Sequence, residues 1–285
     1  MAITAKLVME LREKTGAGMM DCKKALEASG GELEAAIDHL RKAGLKSAAK
    51  KAERETAEGR VFAVLSEDGH RGHLVAVACE TDFLASSDGF ISFVQGLADS
   101  VEAMDPDGLE DGERPFLKQC TADGQTIEET IKASVGQFGE NIRLTALERL
   151  ENTEGQIGCY IHHDNKQGAI VSVTTGADAA TAGPVLKSLC QHIVVFHPEF
   201  MDRDEVPADA LDREREVILA SDELQAKPEE IRGKIVEGKL RRFYSERCLV
   251  EQPWILDDKT SVGKVLEKEL GAGTKVVAYA RVRLG

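Results

Sequence analysis

Four groups of residues in this chain are of types that do chemistry. Gly16-Ala17-Gly18, with Lys23 and Lys24 close behind, combines mobile backbone with ammonium groups, the ingredients of a phosphate cradle. The spacing fails the phosphate-loop pattern and no strand is predicted before it, so the competing reading is a helix-breaking turn. His162-His163-Asp164 offers metal-ligand types, but without a third ligand at a recognisable spacing; a polar hairpin turn competes with it. His192 and His197 lack an H-E-x-x-H context. Cys79 lies in an apolar run with no base beside it, which describes a core thiol better than a nucleophile. No pair of groups forms an acid/base or nucleophile constellation, and that points towards a binding protein.

Two further spots concern contact instead of reaction. Thr81-Asp82-Phe83 follows the apolar run Leu74 to Cys79 and precedes the small residues Ala85-Ser86-Ser87. A Phe beside a carboxylate at a strand tip is either core, stabilising the fold by roughly 1.5–3 kcal/mol, or an anchor aimed at a partner's pocket. Residue chemistry alone leaves both open. Met19-Met20 opens a predicted helix, and adjacent residues cannot both face one small core, so one Met is expected at the surface, where Met suits binding.

Composition narrows the class. The 285 residues imply roughly two domains. The net charge is −14, which argues against the whole chain binding nucleic acid or an anionic membrane surface, because phosphate affinity comes from Lys and Arg. Lys46, Lys50, Lys51 and Arg54 form a local basic patch or a solvated helix face. The six Cys form no C-x-x-C pair and suit reduced thiols, hence a cytoplasmic protein. No apolar run reaches the about 18 residues of a membrane span.

Periodicity predicts three helices over residues 4 to 44. Thr4 caps the first, Gly30-Gly31 stops the second, and Gly44 ends the third. A charged helical linker over Lys46 to Glu58 follows. Strands Arg60–Ser66 and Gly72–Thr81 join through Asp68-Gly69. Then come a helix over Asp88–Val101, a Pro/Gly/acid loop at 105 to 114, a helix over Thr126–Phe138 and a strand over Ile142–Leu147. The order recurs: hairpin strands Gln156–His162 and Ala169–Thr174, a helix opened by Pro184 and closed before His197-Pro198, a helix over Ser261–Leu270 and a strand over Lys275–Arg283. Two charged helices, Asp209–Ser221 and Pro228–Cys248, interrupt this second half as an antiparallel hairpin, with Ile231, Ile235, Leu240 and Phe243 on a seam that Val217 and Leu224 face. The expected fold is α+β: a three-helix domain with linker (1–54), then the two halves of a core (55–150 and 151–285). Antiparallel hairpins pack on helices in each half, and a coiled-coil insertion occupies about 205–248.

Two segments add a family. Residues 11 to 26, LREKTGAGMMDCKKAL, and residues 79 to 83, Cys79-Glu80-Thr81-Asp82-Phe83, resemble the two signature motifs of the elongation factor Ts family. Shorter matches follow in order at Gly139-Glu140-Asn141-Ile142, Tyr160-Ile161-His162, His197-Pro198-Glu199-Phe200, Lys234 to Lys239 and Gln252-Pro253-Trp254, so the resemblance spans nearly the whole chain.

The resemblance implies a ubiquitin-associated-like first domain and a guanine-nucleotide exchange factor for the GTPase EF-Tu, with no covalent chemistry and no cofactor. In the family the Asp-Phe pair pushes into the G domain and dislodges its magnesium ion. By this likeness Phe83 is the wedge and Asp82 its polar partner, within Thr81 to Leu84. Arg12, Met19, Met20 and Lys23 touch the G domain, Phe138-Gly139 sit beside the wedge, and His162 faces another EF-Tu domain. The helical hairpin is a candidate contact for a dimer or a higher EF-Tu complex. Ala76, Ala78, Leu84, Ser86 and Phe138 depart from the family's usual residues, which alters how the wedge is mounted. Many relatives continue into a C-terminal helical module; this sequence ends at Arg281-Val282-Arg283-Leu284-Gly285. The alternative function is a helical protein-binding adaptor without exchange activity.

Overall fold

The computed structural model describes residues 3–101 and 124–285. The loop expected at 105 to 114 lies outside the described residues, as does Cys120. Helices α1 (Ala5–Thr15), α2 (Met19–Ala28) and α3 (Leu33–Lys51) form the N-terminal bundle. The Thr4 hydroxyl accepts from the Leu7 amide at 3.2 Å and caps α1, and Gly16 closes it in the left-handed conformation. Val8, Leu11, Cys22, Ala25, Leu26 and Ala36 make its small core.

The chain then forms β1 (Glu58–Leu65) and β2 (Arg71–Cys79), the short α4 (Asp82–Ala85), α5 (Asp88–Val101), α6 (Ile127–Phe138) and β3 (Arg143–Glu151). The sheet is antiparallel with order β1-β2-β3. The second half supplies β4 (Gly155–Ile161), β5 (Gln167–Thr174) and α7 (Ala179–Phe196). An insertion follows: α8 (Ala208–Ala220), α9 (Asp222–Gln225), α10 (Glu229–Arg247) and a two-stranded ribbon of β6 (Pro253–Trp254) and β7 (Asp257–Ser261). Then α11 (Val262–Leu270) and β8 (Lys275–Arg283) complete a second antiparallel sheet of order β4-β5-β8. The two halves share one plan. Each middle strand even carries an irregularity before its third strand, at Ala76/Val77 in β2 and at Ser172/Val173 in β5.

The sheets face each other, with helices outside. In β2, Val75, Val77 and Cys79 point at α5 and α6, while Leu74, Ala76 and Ala78 meet Ile157, Ile170, Val282 and Leu284 between the sheets. Burial on both faces explains why β2 reads as a continuous apolar run and not as an alternation. In β5, Ala169, Val171 and Val173 turn to α7 and α11.

The structure corrects four expectations. Helix α3 does not stop at Gly44 but continues to Lys51. Gly44 is buried where α3 crosses α6; a Cβ on Gly136 would stand 2.7 Å from its Cα. Close packing outweighs the about 1 kcal/mol helix penalty of Gly. Helix α7 starts at Ala179, not Pro184, because Asp178 caps it by accepting from the Thr181 amide at 2.9 Å. Pro184 lies inside the helix on its solvent side, where water can serve the carbonyl that loses its helical partner. In the helical hairpin Val217 is 67% exposed, and its neighbour Ile218 takes the buried place. Leu224 and Phe243 are buried as expected, whereas Ile231 is exposed. Both Met19 and Met20 are exposed, at 40% and 63%, not one of them, since Cys22, Ala25 and Leu26 already fill the face that α2 gives the core.

His192 is fully buried, stacked between Phe196 (4.5 Å) and Trp254 (5.9 Å). Its Nε2 lies 2.9 Å from the Gln252 side-chain oxygen, and burial lowers its pKa. The folded state therefore holds it neutral. Below the unfolded value of about 6.5 the unfolded chain takes up a proton that the folded chain refuses. This share of stability is complete above that pH and is lost as pH falls through the lowered folded value. His192→Phe should show a smaller drop in Tm between pH 7.5 and pH 5 than the parent; an equal drop in both overturns the assignment. At the helix crossing, Gly136→Ala should destabilise by about 1–2 kcal/mol in denaturant melts, the cost of overpacking less the gain in helix propensity. Gly44→Ala, whose Cβ would meet Ala133 at 3.6 Å, should be close to neutral.

Candidate functional site

Strand β2 delivers its last residue, Cys79, into the core below α5 and α6. Burial, reinforced by the negative charge of Glu140, pushes the Cys79 thiol up to about 12, which disarms it as a nucleophile. The ladder with β1 ends at the Glu58–Cys79 pair, so the amides of Glu80 and Thr81 need partners elsewhere. Both donate to Glu140 Oε2, at 3.0 and 2.9 Å, and the Thr81 hydroxyl donates to Glu140 Oε1 at 2.5 Å.

Thr81 then starts a helix. Its backbone is extended, and its Oγ1 accepts from the Leu84 amide at 3.2 Å. The resulting turn, α4, had no counterpart in the predicted elements. Asp82 and Phe83 occupy its outer face and Leu84 and Ala85 its inner face, the last two packing on the core below. Phe83 is 85% exposed, the most of any large hydrophobic residue among those described. The core reading of Phe83 is thereby removed. That place belongs to Phe90, Phe93 and Phe138, whose rings pack 5.7–6.3 Å apart. Arg60 steadies the turn from beneath, its Nη1 donating to the Ala85 carbonyl at 3.0 Å.

Phe138 and Gly139 are joined to this turn by chain continuity with Glu140. Gly139 ends α6 with φ 79°, a conformation that favours glycine and turns the chain so that Glu140 faces the end of β2. The bulk of Phe138 is absorbed by the aromatic cluster and does not reach outward with Phe83. Ala76 and Ala78 lie between the sheets, away from the outer face of the turn. Arg12, Met19, Met20 and Lys23 are all exposed on the N-terminal bundle, Lys23 with Glu27 at 3.9 Å. His162 sits in the second half at the β4–β5 turn, its Nδ1 3.1 Å from the Tyr160 hydroxyl.

Other candidates resolve as structure. The β4–β5 turn is organised by Asp164, which accepts from the Lys166 amide at 2.8 Å and from the Gln167 side chain at 3.2 Å. Among the described residues no group of three or more His, Cys, Asp or Glu could hold a metal ion, and no helix is long and apolar enough to cross a membrane. Gly16 is a helix cap. Lys51 and Arg54 are engaged with Gly139 and Glu80, so these two do not form a free basic patch. Residue chemistry did not single out Glu140, although it stands in one of the quoted motifs. Its signal was a carboxylate two positions before a strand, directly after the glycine that ends a helix.

The site is a projecting surface element, an aromatic and a carboxylate presented on a capped turn, and so belongs to a protein that works by contact. The family model for Elongation factor TS matches residues 80–285. Elongation factor Ts of Thioalkalivibrio sulfidiphilus is 41% identical over 285 aligned residues, covering 100% of this chain and 93% of the relative. The corresponding proteins of Clostridium kluyveri and Magnetococcus marinus are each 38% identical, over 99% and 100% of this chain and 93% of each relative. The chain belongs to the elongation factor Ts family, whose members are translation elongation factors.

Exposure separates the aromatic residues by role. Phe83→Ala should change unfolding free energy by no more than about 0.5 kcal/mol, as for a surface site. Phe90→Ala, in the same segment but fully buried, should cost about 3–5 kcal/mol. Equal losses in denaturant melts would return Phe83 to the core.

Proposed function

We propose that this protein is a guanine-nucleotide exchange factor for EF-Tu and that Phe83 is its wedge. The observation that carries the reading is the 85% exposure of Phe83 on a turn tied down at several points, in a chain of the elongation factor Ts family. A large aromatic held out in water gains nothing for the fold, whereas in a partner's pocket it buries apolar area worth about 2 kcal/mol or more.

The mechanism needs no covalent step. Exchange requires tighter binding to nucleotide-free EF-Tu than to its GDP form, and by linkage GDP then binds the complex more weakly by the same factor. Phe83 enters between elements of the G domain, and Asp82, exposed beside it, supplies the polar contact. The displaced elements carry the phosphate and magnesium contacts, so GDP loosens. Arg12, Met19, Met20 and Lys23 hold the G domain from the N-terminal bundle, Phe138 and Gly139 flank the wedge, and His162 serves a second EF-Tu domain. The cytoplasm, where translation takes place, is the site of action.

Stopped-flow release of labelled GDP from EF-Tu tests this directly. The parent protein should accelerate release, and Phe83→Ala should lower that acceleration by about tenfold or more. A folded parent protein that binds EF-Tu without accelerating release would leave it an adaptor.

A further inference from the structure

We infer that Glu140 is the positioning residue of the wedge: its carboxylate sets the direction in which Phe83 points. The inference rests on the exchange reading above. Phe83 is too exposed for its own packing to orient it, so its direction comes from the backbone of α4. A helix of four residues does not hold itself together in water, because helix nucleation is unfavourable. An external fastening is required, and the hydrogen bonds identify it.

Glu140 accepts from two consecutive backbone amides, Glu80 and Thr81, and from the Thr81 hydroxyl. The same Thr81 oxygen accepts from the Leu84 amide, so one line of hydrogen bonds runs from Glu140 through Thr81 across the turn that bears Phe83. The arrangement is reciprocal. Glu80 Oε1 accepts from the Asn141 amide at 2.6 Å, so each segment's carboxylate receives backbone amides of the other. The knot also reaches the N-terminal bundle. Arg54 Nη1 donates to Glu80 at 3.3 Å, the Asn141 side chain donates to the Arg54 carbonyl at 2.8 Å, and Lys51 Nζ donates to the Gly139 carbonyl at 2.5 Å. The end of α3 and the base of the wedge therefore share one fastening, with Glu140 as the member that touches the wedge turn.

The test compares Glu140→Ala, Glu140→Gln, Phe83→Ala and the double variant Phe83→Ala/Glu140→Ala. Two measurements are made: GDP release from EF-Tu against factor concentration, and amide hydrogen exchange of the free factor. Glu140→Ala should lower the maximal release rate by about tenfold, the scale of one lost charge-assisted hydrogen bond, with the half-saturating concentration nearly unchanged. Glu140→Gln should recover most of the rate, because its amide oxygen still accepts both backbone amides. In the Phe83→Ala background Glu140→Ala should have no further effect. The Thr81 and Leu84 amides should exchange faster in Glu140→Ala while those of β2 keep their protection. An unchanged release rate, losses that multiply in the double variant, or deprotection of β2 together with the turn each overturn the inference. If the parent does not accelerate release, the exchange reading fails by itself. Amide exchange then decides whether Glu140 holds the turn, and unchanged protection of Thr81 and Leu84 refutes it.

Discussion

Strand β2 has no face left for water, and the rest of the molecule is arranged around that constraint. Its odd-numbered residues from Val75 to Cys79 lie under α5 and α6, and its even-numbered residues from Leu74 to Ala78 lie against the second sheet. A strand buried on both faces must be paired on both edges, because an unpaired backbone group in that environment costs about as much as a lost hydrogen bond. β1 and β3 supply the two edges. The small side chains Ala76 and Ala78 allow the second sheet to approach, and backbone hydrogen bonds then join the halves directly. The Val61 amide donates to the Asn165 carbonyl at 2.8 Å and the Ile157 amide to the Gly69 carbonyl at 2.7 Å.

A contact element gains from such a base. An exposed aromatic delivers binding energy only if little of it is spent on ordering the aromatic first. Here the rigid end of β2 passes into a turn whose amides are held by Glu140, whose cap is Thr81 and whose last carbonyl is held by Arg60. The second half repeats the same plan at the end of β5, yet there α7 begins with Asp178 as its cap and projects no aromatic comparable to Phe83. The repeat supplies a scaffold twice and a probe once.

Most elements were legible in the residues because their signals are local. Thr4 and Thr126 cap the helices they precede, Asp68-Gly69 turns the first hairpin, and the strand expected from Lys275 runs to Arg283. The failures share one cause. Gly44 reads as a stop because its propensity is local, while the helix it joins, α6, lies far along the chain. Val217 and Ile218 are both apolar neighbours, and only the direction from which α10 approaches decides which is buried. Pro184 has the right chemistry for a first helical turn, and Asp178, a stronger cap, stands upstream.

By itself the sequence determined the α+β class, the two-half order, the family motifs and the absence of a recognisable catalytic constellation, since these depend on periodicity and on residues close in the chain. It left Phe83 between core and surface, because a Phe after an apolar strand satisfies either environment equally well. Only the tertiary structure decided between them: Phe90, Phe93 and Phe138 pack together in the core that Leu84 and Ala85 join, while Phe83 stands exposed on the other face of the turn. The partnership of Glu140 with Glu80 and Thr81 was likewise invisible in the chain, where about sixty residues part them, and it exists because β2 and the loop before β3 end side by side.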